Sequence, residues 1–405
     1  MARRVWWPQK RAVLQLKDKG LSVAWLQERL QSLGYQVGPI DGIYGFLTED
    51  CVCSLQRKYG LKVDGIAGPR VMEVLKDSQL QNGSVLQGIW GAIQGDVLSK
   101  ARRRFLEEVH YWLTGFFLYS FSIQEDGNIV GEIPEDVYSM AESAQLRLVP
   151  VISNLQYDMY DELALEALLR HSHARWRLLD TIRRIVADPK TDGVALDLQR
   201  VGVGYGRRFT NLIREARRLA THYHKRLYMF LVPIDGRQQA LPKYVDNQAW
   251  RFLPDRVILQ ASSEHVLGSP GPKLGMEWMQ RQLKRVCRNL PAWKLMILLP
   301  VDGIAWRVEG NLREYRYLSY DDVRKLAYQS QAKIRWDTIE KVPFYDLLED
   351  ERRLRVWFEN SNSIGPKLQW LDRQPISGIV VMPIGGEDSR IWHKMGETYG
   401  VQERG

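Results

Sequence analysis

Cysteine is scarce. The 405 residues contain three, and Cys51 and Cys53 lie two apart on a helical pattern that points their side chains away from each other. Cys287 stands alone, so no disulfide framework is expected, which fits folding in a reducing compartment. Histidine is also sparse, at seven. The pairs His171/His173 and His222/His224 are two apart on helical patterns and do not converge, so no metal site and no cofactor are expected. No apolar run is long enough to span a bilayer; the longest, Tyr111 to Phe121, reads as a buried strand, and no membrane insertion is expected. The opening Met1-Ala-Arg-Arg-Val-Trp-Trp-Pro8 has basic residues without a following apolar stretch, so no secretory or twin-arginine signal is read there.

What is present suits a folded chain of one small and one large domain: 45% of residues are hydrophobic and 26% charged. The net charge of +9 favours an acidic partner such as an anionic cell wall. No zinc-finger or RNA-binding motif accompanies it, and nucleic acid is not an expected partner.

An internal echo organises the small domain. Val37-Gly-Pro-Ile-Asp41-Gly42-Ile43-Tyr-Gly45 recurs in reduced form as Val63-Asp64-Gly65-Ile66-Ala-Gly68-Pro69. Two Asp-Gly turns therefore join three short helices, with Leu26, Leu30 and Leu33 on one apolar face and Cys51, Val52, Leu55 and Tyr59 on another. Pro69 suits the first turn of the third helix. With Gln27, Tyr35, Thr48, Gln56 and Leu61, these positions resemble the peptidoglycan-binding family of three helices and repeated D-G-x-x-G turns. The resemblance implies wall binding through a module in which Tyr35, Asp41, Gly42, Gly45, Asp64, Gly65 and Gly68 are the marked positions. The expected organisation is an extension over 1–20, this module over 21–76, a linker over 77–84 and a large domain over 85–400.

In the large domain, short apolar runs alternate with helical patterns. Strands are expected at Val85–Trp90, Leu113–Ser120, Leu146–Ile152, Gly193–Leu198, Leu227–Val232, Arg256–Ala261, Lys294–Leu299 and Gly378–Pro383. One intervening helix is expected to turn Trp176, Leu179, Ile182 and Val186 inward. Eight strands with helices between them make an α/β fold, a (β/α)8 TIM barrel. The stretch 301–354 is too long for a loop and reads as a small α+β insertion.

Chemistry in such a barrel belongs at the C-terminal ends of the strands. The fourth ends in Asp192-Gly-Val-Ala195-Leu-Asp197-Leu-Gln199, which resembles the D-G-x-D-x-D-x-E motif of glycoside hydrolase family 18, the chitinase-like enzymes. Phe121, Asn154, the segment Arg355-Val-Trp-Phe-Glu359-Asn with Ile364 and Lys367, and Gly385-Gly-Glu387-Asp388 extend the resemblance to its spore-cortex and wall-glycan branch. It implies a peptidoglycan or other N-acetylated glycan as partner, and a wall or spore-envelope location.

The catalytic positions depart from that family. Its last glutamate protonates the glycosidic oxygen; here Gln199 stands there, and a carboxamide cannot deliver a proton at useful pH. Asp197 remains at the position that orients the acetamido group, but its neighbour two residues earlier is Ala195, Ser262 replaces a tyrosine, and Met382 replaces the floor tryptophan. The glycan-binding residues expected at the mouth are Trp90, Asn154, Glu264, Asp302, Trp306 and Met382. The first reading is a non-hydrolytic wall-glycan binder. The alternatives are an N-acetylglucosaminidase using a displaced acid among Glu264, Asp302 and Glu387, and a structural spore-envelope protein.

Overall fold

A computed structural model describes residues 13–33, 35, 37–80, 88–94, 109–156, 159–234, 241–261, 270–309, 312–349 and 351–399. The small module is three helices: α1 (Leu21–Ser32), α2 (Phe46–Lys58) and α3 (Pro69–Leu80). Its core takes Val23, Leu26 and Leu30 from α1, Val52 and Leu55 from α2, and Val71, Met72 and Leu75 from α3. Tyr59, expected on the inner face of α2, is 44% exposed. Residues 77–80 of the expected linker belong to α3, and the rest of it lies outside the described residues.

The repeated turns are held by repeated hydrogen bonds. Gln27 of α1 donates from Nε2 to Asp41 Oδ1 and the Ile43 carbonyl, both at 3.0 Å, and its Oε1 accepts the Gly42 N–H at 2.9 Å. Gln56 of α2 does the same with Asp64, Ile66 and Gly65 at 2.9, 3.0 and 3.0 Å. Gly42 and Gly65 adopt φ of 71° and 69°, where a side chain is strained. Gly45 and Gly68 then donate back to the Ile43 and Ile66 carbonyls, each at 2.9 Å, and lead into α2 and α3.

The large domain is a closed parallel barrel of β1 (Ile89–Gln94), β2 (Gly115–Ile123), β3 (Arg147–Ser153), β4 (Gly193–Asp197), β5 (Arg226–Leu231), β6 (Arg256–Leu259), β7 (Leu295–Pro300) and β8 (Gly378–Met382). β1 pairs with both β2 and β8, which closes the ring. Alternate residues point inward, and the lumen is filled by Trp90, Phe117, Val151, Ala195, Tyr228, Phe230, Ile258 and Val380 among others. β1 starts four residues later than expected. Trp90 is thus the second residue of its strand and packs in the barrel floor, with ring centroids 5.1 Å from Phe117 and 5.8 Å from Tyr228.

The α+β insertion runs past its expected end at 354. Strands Gly303–Glu309, Leu312–Leu318, Arg335–Asp337, Val342–Glu349 and Arg352–Phe358 form one antiparallel sheet, and helix Tyr320–Gln329 packs on it. The boundary moves because Arg352–Phe358 pairs along Gly303–Arg307. No helix among the described residues is long and apolar enough to cross a membrane.

The module docks at the N-terminal ends of the barrel strands. Trp293 and Phe252 of the barrel pack into the module core. A Cβ on Gly42 would lie 2.8 Å from the Phe252 ring, so the first turn needs glycine for contact as well as for φ. Glu28 of α1 and Arg256, the first residue of β6, form an ion pair with both side chains 5% exposed. Burial opposes charge on Glu28, but Arg256, with Arg226 and Lys294 behind it, brings its carboxyl below the usual range. Burial pushes the neighbouring Lys294 down to about 7. Glu28→Ala removes the carboxylate that balances Arg256 in this buried site and is expected to cost about 3–5 kcal/mol. Urea unfolding checks this, and the double variant Glu28→Met/Arg256→Met should lose clearly less.

Candidate functional site

Asp197 is the last residue of β4, and the two-residue period puts it on the lumen side above Ala195. It is fully buried. Tyr119, projecting from β2, donates its hydroxyl to Asp197 Oδ2 at 2.9 Å. Tyr160 comes from a short hairpin, Leu155–Gln156 with Met159–Tyr160, that follows β3. Its hydroxyl lies 3.2 and 3.0 Å from the two Asp197 oxygens and 3.1 Å from Gln260 Oε1.

Gln199 completes the cluster, and every part of its amide is engaged. Nε2 donates to Asp197 Oδ1 at 2.9 Å and to the Phe230 carbonyl at 3.0 Å. Oε1 accepts from the Tyr244 hydroxyl at 3.1 Å. Two acceptors face the same nitrogen, so the position is built for a donor of two protons. An ionised carboxylate there would have none.

Burial raises the Asp197 carboxyl to about 6, against the hydrogen bonds from Gln199, Tyr119 and Tyr160 that favour its charge. Burial, then the nearby Asp197 charge, raises both phenols well above their usual range. Tyr160 has one proton for acceptors on two sides. With Asp197 protonated, the carboxyl donates to the phenol oxygen and the phenol donates to Gln260; with Asp197 ionised, the phenol turns back to it.

Asn154 is also fully buried and serves the backbone of this site. Its Nδ2 donates to the Gln199 and Asp161 carbonyls at 3.0 and 2.7 Å, and its Oδ1 accepts the Gln199 N–H at 3.0 Å. Met382, at the end of β8, is half-buried against the lumen cluster. Trp90 is away from the mouth, in the floor.

Asp302 and Trp306 tie the insertion to the barrel. Both Asp302 oxygens accept from Lys273 Nζ, at 2.8 and 2.9 Å. Trp306 is 2% exposed, packs on Tyr315 and donates from Nε1 to the Gly271 carbonyl at 2.9 Å. Its ring is covered, so this residue expected at the mouth packs within the insertion. Tyr205 is half-buried beside helix Gly206–His222. Glu387 holds its own loop: Oε2 accepts from the Gly385 and Gly386 N–H groups at 2.7 and 2.8 Å, and Oε1 from the Trp392 indole at 3.0 Å. Glu359 and Lys367 form a buried ion pair braced by Ser363 at 2.6 Å. Glu264 and Ser262 lie outside the described residues.

Tyr119, Tyr160, Tyr244 and Gln260 were not expected at the site. Tyr119 and Gln260 were findable from the alternation along β2 and β6, Gln260 standing two residues after the lumen residue Ile258. Tyr160 and Tyr244 reach it from segments whose course no periodicity fixes. In the module, Asp41, Gly42, Gly45, Asp64, Gly65 and Gly68 build the turns described above, and Tyr35 is half-buried against the core.

The fold is thus a closed (β/α)8 barrel with one buried carboxyl among phenols and amides at the end of β4, preceded by a three-helix module with paired Asp-Gly turns. The chain belongs to the glycosyl hydrolases family 18, which it matches over residues 138–386, more than half its length. Residues 19–75 match the peptidoglycan binding domain. Among curated relatives, an uncharacterised glycosylase of Bacillus subtilis is 20% identical over 300 residues, covering 71% of this chain and 85% of the relative. The cortical fragment-lytic enzyme of the same organism is 22% identical over 317 residues, covering 77% and 74%. The spore cortex-lytic enzyme of Bacillus megaterium has the same fold, with a TM-score of 0.70 at 14% identity over 87% of this chain and 85% of that one.

The raised carboxyl sets a pH dependence. Between about 4 and 6 the native state keeps a proton that the unfolded chain has lost, so stability declines as pH rises through that window. The decline attributable to Asp197 is expected to reach up to about 3 kcal/mol. Urea unfolding of the chain and of Asp197→Ala at pH 4 and pH 7 measures it: the variant should lack this part of the slope.

Proposed function

We propose that the chain is a wall-glycan binding protein whose barrel does not hydrolyse its ligand. Gln199 carries this reading: the position that holds the proton donor in the resembling family has an amide locked between Asp197, the Phe230 carbonyl and the Tyr244 hydroxyl. An amide in that setting has no proton to give to a leaving group. Of the candidate displaced acids, the two among the described residues are engaged elsewhere. Asp302 is paired with Lys273, and Glu387 accepts from three N–H groups of its own loop and helix. Among the described residues no second carboxylate hydrogen-bonds to the Asp197 cluster.

Residues 21–76 are assigned to wall attachment and 85–400 to glycan recognition, with peptidoglycan or another N-acetylated glycan as ligand. The place of action is the cell wall or spore envelope. The peptidoglycan binding domain match and the relatives named for cortex lysis support both assignments. In the barrel the Asp197 carboxyl and the Tyr119 and Tyr160 phenols form the polar end of the cleft, and Met382 its apolar floor.

Incubation of the purified chain with bacterial peptidoglycan tests the proposal. The expected result is co-sedimentation with the wall and no release of reducing ends above a blank. Release by the unaltered chain would overturn it. Gln199→Glu is also expected to remain inactive, because the new carboxyl faces Asp197 and a carbonyl and Tyr160 caps the acetamido position. Reducing-end release by that variant would show a cleft needing only its acid.

A further inference from the structure

The basic charge is concentrated. Between residues 170 and 218 the chain has twelve lysines and arginines against five aspartates and glutamates, a surplus of seven in a protein whose total is +9. Most of this stretch forms two adjacent helices on the outside of the barrel, Ser172–Ala187 and Gly206–His222. Arg183 and Arg184 share Asp180, and Arg175 reaches Glu215 only at 3.8 Å. Arg177, Arg207 and Arg218 are exposed and make no ion pair among the described residues. A face with a surplus of one sign favours a partner of the other.

Trp176 lies on the same face. Expected to point into the barrel, it is 64% exposed, because Ala174, Leu178, Ile182 and Ile185 form the buried side of the helix. Its ring lines a cavity of about 600 Å³ with Leu179, Arg175 and Glu215. A second cavity, of about 540 Å³, lies on the other side of helix Gly206–His222 and is lined by Arg207, Arg214 and Lys243 against one carboxylate, Asp246, whose Oδ1 accepts the Gln248 and Ala249 N–H groups. From residue 207 to residue 215 the helix advances only about 12 Å. The second cavity also touches Tyr244, whose hydroxyl donates to Gln199, so this face continues to the edge of the barrel site.

We propose that this face is a second glycan-binding surface, on which Trp176 stacks against a sugar ring while Arg207 and Arg214 pair with the stem-peptide carboxylates of peptidoglycan. The proposal rests on the wall-glycan reading above. The apolar face of a pyranose matches an exposed indole. Guanidinium groups match carboxylates in charge and in planar, two-pronged geometry.

Hydroxyl-radical footprinting of the full chain with soluble peptidoglycan fragments reads this surface directly. Trp176 oxidation is expected to fall several-fold when fragments bind, and to fall little when their carboxylates have been amidated. In wall sedimentation at low salt, Trp176→Ala should weaken binding by about 3–10-fold. Arg207→Glu/Arg214→Glu should weaken it by about tenfold, with an unchanged unfolding midpoint. Fragments that bind while Trp176 oxidises at its free rate would overturn this surface and leave the wall-glycan reading standing. No binding to wall or fragments at all would overturn that reading and this surface with it. Equal or better protection of Trp176 by single-stranded DNA of matched charge would identify a nucleic-acid face and overturn the proposal.

Discussion

The site depends on one nitrogen atom. Gln199 Nε2 stands between a carboxylate oxygen of Asp197 and the backbone carbonyl of Phe230, and it satisfies both. A second carboxylate in its place would set two like charges about 3 Å apart inside the protein, where one must stay protonated. The amide removes that conflict. Ala195 acts in the same direction from below: the lumen under Asp197 is filled by Ala195, Tyr228, Phe230 and Ile258, with no charge among them. Burial then dominates the Asp197 titration, which is why its carboxyl rises to about 6 although three donors favour its charge. Gln199 and Ala195 thus act together on the same carboxyl, one satisfying it from above and the other leaving its underside uncharged.

Much of this was legible in the sequence, for identifiable reasons. The module was readable because its constraint is local and repeated: glutamine, Asp-Gly turn and following helix recur with the same bonds, so the residues that make the fold also make the pattern. The barrel was readable because buried parallel strands are near-continuous apolar runs, and all eight appeared within a few residues of their expected places. The end of β4 was readable because the motif there has fixed spacing.

What was not legible depends on where a chain segment goes after it leaves the barrel. Trp306 looked like a rim aromatic, but its strand turns into the antiparallel sheet of the insertion and the indole closes against Gly271. Trp90 looked like a strand end because the apolar run starts before β1 does; the later start makes it the second residue of the strand and so places it low in the lumen. Trp176 shows the reverse error. A period of three to four placed it with Leu179 and Ile182, yet the helix buries the stripe through Ala174 and Leu178, roughly a third of a turn away. An alanine in that stripe gives little hydrophobic signal, and the larger residue drew the face toward itself.

The remaining constraint lies at the other end of the barrel. Strands β5 and β6 begin with Arg226 and Arg256, and Lys294 directly precedes β7, so three basic side chains converge beneath the lumen around Glu28. The Asp255 carboxylate, which also pairs with Arg217 and accepts the Leu227 N–H, answers part of that charge. Glu28 answers the rest, and it comes from the module. Phe252 and Trp293 likewise finish their burial in the module core. The barrel floor is therefore incomplete alone, electrostatically and in packing. A flexibly tethered wall-binding domain would not need to supply a buried counter-charge to its neighbour. This module does, so module and barrel are fixed in one orientation, with the Asp197 mouth at the end away from the module.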